Sequence, residues 1–159
     1  MGRPLVAYFS CTGTTGRLAE TLASAVGADL LRIEPAVPYT AADLDWHDER
    51  SRSAVEMGNP ASRPAIAGTG PDLTDYTVVF LGSPIWWGVP PTIVNTFLEC
   101  VDLSGKTVVP FVTSGSSPVG GTDQRLRSSC PDTVDLRPAI RFAANTSAKQ
   151  LRRWSEQFL

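Results

Sequence analysis

The chain has 159 residues, of which 42% are hydrophobic and 19% are charged, and its formal net charge is -2 at pH 7. This length supports one domain with a full hydrophobic core and is short for two. The small net charge argues against a nucleic-acid-binding surface, and no run approaches the roughly 20 apolar residues of a membrane-spanning helix. We therefore expect one domain, residues 1–159, with no nucleic-acid or membrane partner.

The cysteines and the histidine argue against a disulfide scaffold and a transition-metal site. Cys11, Cys100 and Cys130 are far apart and form no CxxC pair. This pattern is typical of reduced thiols rather than of a disulfide scaffold or a zinc site. His47 is the only histidine, so a transition-metal site is not expected. Because the first residues lack the long apolar stretch of a secretion signal, we expect a cytoplasmic protein.

Strands and helices alternate along the chain. Apolar runs of strand length lie at 4–10, 29–35, 76–83 and 106–114, with a weaker run within 133–142. Helical patterns lie at 18–26, 91–101, 121–129 and 147–159. The last begins with Ser147 and Gln150, which form a capping box. Strands that are apolar on both faces and separated by helices are typical of a parallel sheet covered on each side, so we predict a three-layer α/β fold.

Two stretches of the chain fit this pattern less well. Residues 38–71 are polar, acidic and rich in proline, and we interpret them as an insertion with a possible helix at 41–56. Pro110 lies inside a predicted strand. Because proline lacks the N–H that a central strand donates to its neighbour, we expect a bulge or irregularity there.

The loop after the first strand has the composition of an anion site. Its sequence, SCTGTT at 10–15, brings hydroxyl groups and a glycine to the start of a helix, where the N–H groups and the helix dipole favour a phosphate. The loop lacks the lysine of a Walker motif and the GxGxxG spacing, which disfavours a nucleoside triphosphate or a dinucleotide. The alternative is a simple helix N-cap made by Thr12 or Thr14.

Two later loops follow strands of the same predicted sheet, and ligands of such sheets bind at the carboxyl ends of the strands. GSPIWWGVPP at 82–91 holds two adjacent tryptophans, and a loop lets one ring pack inward while the other presents a face to a planar ligand. Packing of both rings is the alternative. TSGSSPVGG at 113–121 is rich enough in glycine and hydroxyl groups for close approach of backbone to a ligand, although a plain flexible loop has the same composition.

Taken together and in this order, the three loops resemble the flavin-binding loops of the flavodoxin family in its short-chain form. The matching segments are YFSCTGTTGRLAE, VFLGSPIWWGVPPTIVNTFLE and LSGKTVVPFVTSGSSPVGG, which cover most of the chain. The resemblance implies a five-stranded parallel sheet of order 2-1-3-4-5, FMN as the cofactor and electron transfer as the activity.

The resemblance also implies which residues bind the cofactor. They are Ser10, Cys11, Thr12, Gly13, Thr14, Thr15, Ser83, Pro84, Ile85, Trp86, Trp87, Gly88, Thr113, Ser114, Gly115, Ser116, Gly120 and Gly121. Residues 10–15 would hold the phosphate, one of the two tryptophans would stack on the isoalloxazine ring, and residues 114–116 would approach its pyrimidine end. Gly88 would let a peptide carbonyl turn towards flavin N5. For Cys11, filling the turn is favoured over an activated thiolate.

Two departures from the family pattern leave two functions open. The third loop has no aromatic residue, which predicts an open flavin face, and Val89 follows Gly88 where many relatives carry acidic residues. The favoured function is a flavodoxin that shuttles electrons between redox partner proteins. The alternative is an FMN-dependent NAD(P)H:quinone-type oxidoreductase with a small acceptor at the open face. Trp46 or His47 are candidates to line that face, although ordinary packing or exposure is favoured for both.

Overall fold

Parallel strands form the centre of the molecule. The computed structural model describes residues 2–159. Its strands are β1 (Arg3–Tyr8), β2 (Asp29–Arg32), β3 (Tyr76–Pro84), β4 (Thr107–Thr113), β5 (Asp135–Leu136) and β6 (Ile140–Phe142). The sheet order is β2-β1-β3-β4-β5, all pairs are parallel, and β6 also pairs with β4. The predicted α/β fold and strand order are confirmed, with the predicted fifth strand divided into β5 and β6.

Among residues 2–159, four helices lie between these strands along the chain and a fifth follows β6. They are α1 (Thr14–Val26), α2 (Arg52–Met57), α3 (Thr92–Cys100), α4 (Thr122–Arg127) and α5 (Ala148–Ser155), which continues into a 3-10 turn at Glu156–Phe158. The predicted ends are confirmed at two places: α1 ends at Gly27, whose φ of 70° is left-handed, and α5 begins with the Ser147–Gln150 capping box. Within residues 2–159, no helix is long and apolar enough to cross a membrane.

Helices cover both faces of the sheet, each over its own apolar core. On one face, Leu22 of α1 and Leu151 of α5 pack with Phe80 of β3. On the other, Phe97 of α3 packs with Leu81 of β3. Neighbouring strand residues therefore point into opposite cores, which explains the continuous apolar runs in the sequence.

Pro110 lies within the continuous strand β4, so the expected bulge is absent, and the only irregularity beside it among residues 2–159 is the interruption of the fifth strand. Leu81 pairs with Pro110 in an unbroken register. The reason lies on the other edge of β4, where Arg137 N–H donates to the carbonyl of Val108 at 2.9 Å. The nitrogen of Pro110 faces this same edge two residues later, where the fifth strand is interrupted between β5 and β6. The missing N–H therefore costs the sheet no hydrogen bond.

The predicted helix at 41–56 was wrong for most of its length, because only α2 is helical. The preceding residues form turns in which acidic side chains bind nearby N–H groups. Asp43 accepts from Thr40 N–H at 2.9 Å, Asp45 from His47 N–H at 3.0 Å, and Asp48 from Arg50 N–H at 2.9 Å. Such local hydrogen bonds compete with those of a helix, which explains why the segment forms turns rather than a helix.

Candidate functional site

A cavity of about 730 Å³ opens at the carboxyl ends of β1, β3 and β4. This volume lies within the roughly 300–1,000 Å³ of small-molecule sites. Every described residue that lines it is uncharged. The predicted site residues that line it are Ser10, Cys11, Thr12, Thr14, Thr15, Pro84, Ile85, Trp86, Trp87, Thr113, Ser114 and Gly115. The sheet thus brings the three predicted loops together around one space.

The first loop leaves the start of α1 open to a ligand. The N-cap residue is Gly13, with φ 90° and no side-chain capping bond, so neither Thr12 nor Thr14 makes the simple cap considered above. The first N–H groups of a helix have no acceptor within the helix. Because Thr12 and Thr14, which carry hydroxyl groups, also line the cavity, this end combines N–H and O–H donors in the manner of a phosphate site.

Two other hydroxyls of this loop have structural partners. Ser10 Oγ accepts from Gly13 N–H at 3.1 Å, which fixes the turn. Thr15 Oγ1 and Thr113 Oγ1 form a buried hydrogen bond of 2.6 Å. The second bond joins the start of α1 to the end of β4, so it holds the first and third loops at a fixed separation.

Cys11 lines the cavity as a protonated thiol. Burial raises the pKa of Cys11 to about 11, although the positive charges of Arg32 and Arg52 oppose this shift. A pKa this high leaves almost no thiolate at neutral pH. The side chain also packs against the apolar core, which agrees with the turn-filling role rather than with an activated nucleophile.

The two tryptophans of the second loop point to different environments. Trp86 packs edge-on against Phe9 at 5.9 Å and Tyr39 at 5.7 Å between ring centroids. Trp87 is 54% exposed. The backbone N–H of Trp86 donates to the carbonyl of Val89 at 2.8 Å. The two residues between them, Trp87 and Gly88, both have positive φ, as a type I′ turn requires. This turn separates an inward ring from an outward one within two consecutive residues.

Some predicted site residues do not line this cavity. Ser83 is buried within β3, and Ser116 lies outside while Ser117 lines the cavity. Gly13 lines a smaller cavity of about 280 Å³ on the other side of the first loop, together with Arg17 and Arg32. Ser10 and Cys11 line both cavities, so the first loop contacts the two spaces.

Gly88, Gly120 and Gly121 join the second loop to the third instead of lining the cavity. The carbonyl of Gly88 accepts from Gly121 N–H at 3.0 Å, so in this structure it does not turn into the cavity. Gly120 has a φ of 56°, and a Cβ there would lie 2.2 Å from the Gly88 oxygen. Only glycine permits this approach, which makes the contact a fixed junction between the two loops.

Residues from the insertion complete the cavity. Leu44, Trp46 and Ser53 line it, and Trp46 is 67% exposed with its ring stacked on His47 at 3.7 Å. Trp46 was one of the two residues considered for the open face. Sequence reasoning did not identify Leu44, Ser53, Ser117, Ala143 or Ala144, because isolated small or apolar residues carry no pattern of their own.

A partly buried polar cluster holds the insertion against the second loop. The guanidinium of Arg52 lies 3.7 Å from the ring centroid of Tyr39 and donates to Glu56 at 3.0 Å and to the carbonyl of Val37 at 2.7 Å. Tyr39 donates its hydroxyl to Glu56 at 2.5 Å. Burial and this bond raise the pKa of Tyr39 well above its ordinary value. Since Tyr39 packs on Trp86, the cluster fixes both the insertion and the inward tryptophan.

Arg141 of β6 binds the third loop and was not identified from the sequence. Its Nε donates to Ser114 Oγ at 3.0 Å, and its Nη2 donates to the carbonyls of Ser114 at 2.9 Å and Gly115 at 2.5 Å. Ser114 in turn donates its hydroxyl to the carbonyl of Ser117 at 2.5 Å. These bonds shape the loop that forms one wall of the cavity.

Known proteins resemble the chain over nearly its whole length. A family profile described as flavodoxin matches residues 3–158. Crystal structures of proteins assigned as flavoproteins from Bacteroides uniformis and Bacteroides eggerthii are 44% and 48% identical, with TM-scores of 0.91 and 0.89. The first comparison covers 98% of each chain, and the second covers 99% of this chain and 98% of that one.

A more distant structure adds information about the fold. A flavoprotein from Lactobacillus acidophilus in complex with FMN is 21% identical, with a TM-score of 0.70 over 98% of this chain and 99% of that one. At this identity the likeness concerns the fold. None of the curated protein sequences matches the chain significantly.

Proposed function

Because the chain belongs to the flavodoxin family, we propose that it binds FMN in this cavity and carries electrons between redox partner proteins in the cytoplasm. The family match confirms the resemblance predicted from the three loops and supports FMN as the cofactor, as does the FMN complex of the Lactobacillus acidophilus neighbour. The observation that carries the proposal is the cavity itself, which joins an uncapped helix start to an exposed tryptophan.

The residues at the first loop fit the phosphate of FMN. The uncapped N–H groups of α1 and the hydroxyls of Thr12 and Thr14 offer several donors to one anion. Hydrogen bonds to a charged group stabilise it by about 1.5–3 kcal/mol each. This donor set would distinguish FMN from riboflavin, which has the same ring without the phosphate.

The second loop fits the planar ring. Trp87 is the tryptophan with an open face, since Trp86 is held by Phe9 and Tyr39. Stacking on an aromatic face contributes about 0.5–1.5 kcal/mol beyond the buried area. FMN supplies the redox chemistry when it is bound. The chain holds the phosphate, orients the ring and excludes water from part of its surface.

The insertion carries exposed carboxylates, here called the rim, close in sequence to the lining residue Trp46, and they support docking of a partner. Residues 43–50 include four carboxylates, Asp43, Asp45, Asp48 and Glu49, and one arginine, Arg50. Asp45, Asp48 and Glu49 are exposed beside Trp46, which lines the cavity. A rim of this sign favours a basic partner surface and accelerates association at low salt.

A second candidate function has its own support. The cavity is uncharged and extends to the exposed ring of Trp46, which suits a small planar acceptor such as a quinone. In that case NAD(P)H would reduce the flavin directly, and no partner protein would be needed.

One experiment separates the two functions. The FMN-loaded chain is supplied with NAD(P)H in two assays, either with a small quinone alone or with a flavodoxin reductase and cytochrome c. The proposal predicts turnover only in the second assay, with a rate that falls as salt rises. Neutralising the rim with Asp45→Asn, Asp48→Asn and Glu49→Gln should lower that rate and its salt dependence. Sustained NAD(P)H oxidation with quinone alone would instead establish the second function.

A further inference from the structure

Arg141 places an unneutralised positive charge directly behind the third loop. All three of its hydrogen bonds go to Ser114 and Gly115, which line the cavity. Within the described part of the chain, no carboxylate lies within ion-pair distance of its guanidinium. The residues that line the cavity are uncharged. The positive charge of Arg141, which is hydrogen-bonded to two of them, therefore contributes to the electrostatic potential inside the cavity.

The same bonds set the direction of two backbone dipoles. In a trans peptide the carbonyl and the following N–H point in opposite directions, and the structure has no cis peptide bond in residues 2–159. The carbonyls of Ser114 and Gly115 point to Arg141. The N–H groups of Gly115 and Ser116 therefore point away from it, and neither has an acceptor among the described residues. Gly115 lines the cavity whereas Arg141 and Ser116 do not, so the Gly115 N–H is the donor on the cavity side.

We propose that Arg141 is a positioning residue that raises the reduction potential of FMN bound in this cavity. The inference rests on the proposed function. Reduction adds two electrons and either one or two protons to the isoalloxazine ring, and with one proton the ring becomes negatively charged. A positive charge and an oriented N–H donor stabilise that form more than the neutral oxidised one. With no carboxylate lining the cavity, nothing on its wall offsets this preference.

Two substitutions separate the charge from the shape of the loop. Arg141→Gln retains a hydrogen-bond donor without the charge, and Arg141→Lys retains the charge without the forked geometry. Arg153→Gln is the control, since Arg153 is exposed on α5 and does not line the cavity. The midpoint potential of bound FMN is measured by titration with dithionite and a reference dye, and the affinity for oxidised FMN is measured beside it.

Arg141→Gln should weaken binding of reduced FMN about tenfold more than binding of oxidised FMN, which lowers the potential by about 30 mV for a two-electron couple. Arg141→Lys should keep most of the wild-type potential, and Arg153→Gln all of it. An unchanged potential in Arg141→Gln would overturn the inference, even if both forms of FMN bound more weakly, and so would equal shifts in the two Arg141 variants. Failure of the wild-type chain to bind FMN would overturn the proposed function, and the inference with it.

Discussion

The two ends of the cavity, which we propose hold the phosphate and the ring of FMN, are built in different ways. The phosphate end comes from one continuous segment, residues 10–15, whose backbone turns from β1 into α1. The ring end is assembled from segments far apart in the chain: Trp87 after β3, Trp46 in the insertion, and the third loop held by Arg141 of β6. A local segment keeps its shape through its own backbone, whereas an assembled wall depends on contacts elsewhere. At each end we therefore expect some substitutions to change the affinity for FMN and others to change the free energy of unfolding.

The largest expected difference lies between the adjacent tryptophans of the ring end. Trp86→Ala should lower the free energy of unfolding by about 3 kcal/mol, because the indole packs on Phe9 and Tyr39. Trp87→Ala should change it by less than about 0.5 kcal/mol, since the ring is largely exposed, and should instead weaken FMN binding. Urea unfolding of the flavin-free variants measures both values. Equal losses of stability would contradict the division between an inward and an outward ring.

The junction between the second and third loops should be nearly as sensitive. Gly120→Ala combines a left-handed φ with a clash against the Gly88 carbonyl, and such backbone strain costs about 1–3 kcal/mol. Gly115→Ala is the matched control, because nothing lies within 4 Å of its Cβ position and its φ is not left-handed. Thermal unfolding of the two flavin-free variants should therefore show a lowered midpoint for Gly120→Ala alone. Similar midpoints would mean that the loops do not need this contact.

At the phosphate end, substitution of two threonines in one loop should affect different properties, one the affinity for FMN and the other the stability of the fold. Thr12→Val removes a donor at the cavity, so it should weaken FMN about tenfold and leave riboflavin unchanged. Thr15→Val leaves the buried Thr113 hydroxyl without its partner, so it should cost about 1–3 kcal/mol of stability. Flavin titration and urea unfolding of both variants make the comparison. Equal losses of FMN and riboflavin in Thr12→Val would show that the phosphate lies elsewhere.

The smallest effect concerns the thiol in the same loop. Since burial raises the pKa of Cys11 to about 11, from about 9 when the chain is unfolded, the folded state favours the neutral thiol. The resulting stability is complete below about pH 9 and is lost as the pH rises from there to about 11. Iodoacetamide at pH 7.5 should modify the exposed Cys100 well before Cys11, as measured by mass spectrometry of peptides. Faster modification of Cys11 would contradict its burial as a neutral thiol.

Features formed by one contiguous segment could be predicted from the sequence, whereas contacts between distant segments could not. Apolar runs and caps such as Gly27 and Ser147 are local signals, so the alternation of strands and helices and two helix ends were predictable, whereas the strand order followed from the family resemblance. The first loop was predictable as a contiguous motif, and its place at the cavity agrees with that prediction. The contacts of Arg141 with Ser114, and of Gly120 with Gly88, join residues 27 and 32 positions apart, and no local pattern marks such pairs.

The insertion shows why composition alone was insufficient. An acidic segment with helix-forming residues predicted a helix over 41–56, but the side chains of Asp43, Asp45 and Asp48 bind local N–H groups and stop it. The resulting turns carry Trp46 to the cavity. Its position there depends on the packing of Arg52 and Glu56 against Tyr39, which is a tertiary effect.

The most direct test of FMN binding at this cavity is a titration of FMN and riboflavin with the flavin-free protein, followed by the fluorescence of the flavin. Our account predicts strong quenching by stacking on Trp87 and an affinity for FMN at least about tenfold higher than for riboflavin, because only FMN reaches the donors of residues 10–15. Equal affinities would contradict a phosphate site at the start of α1. An absence of quenching with both flavins would contradict FMN binding in this cavity altogether.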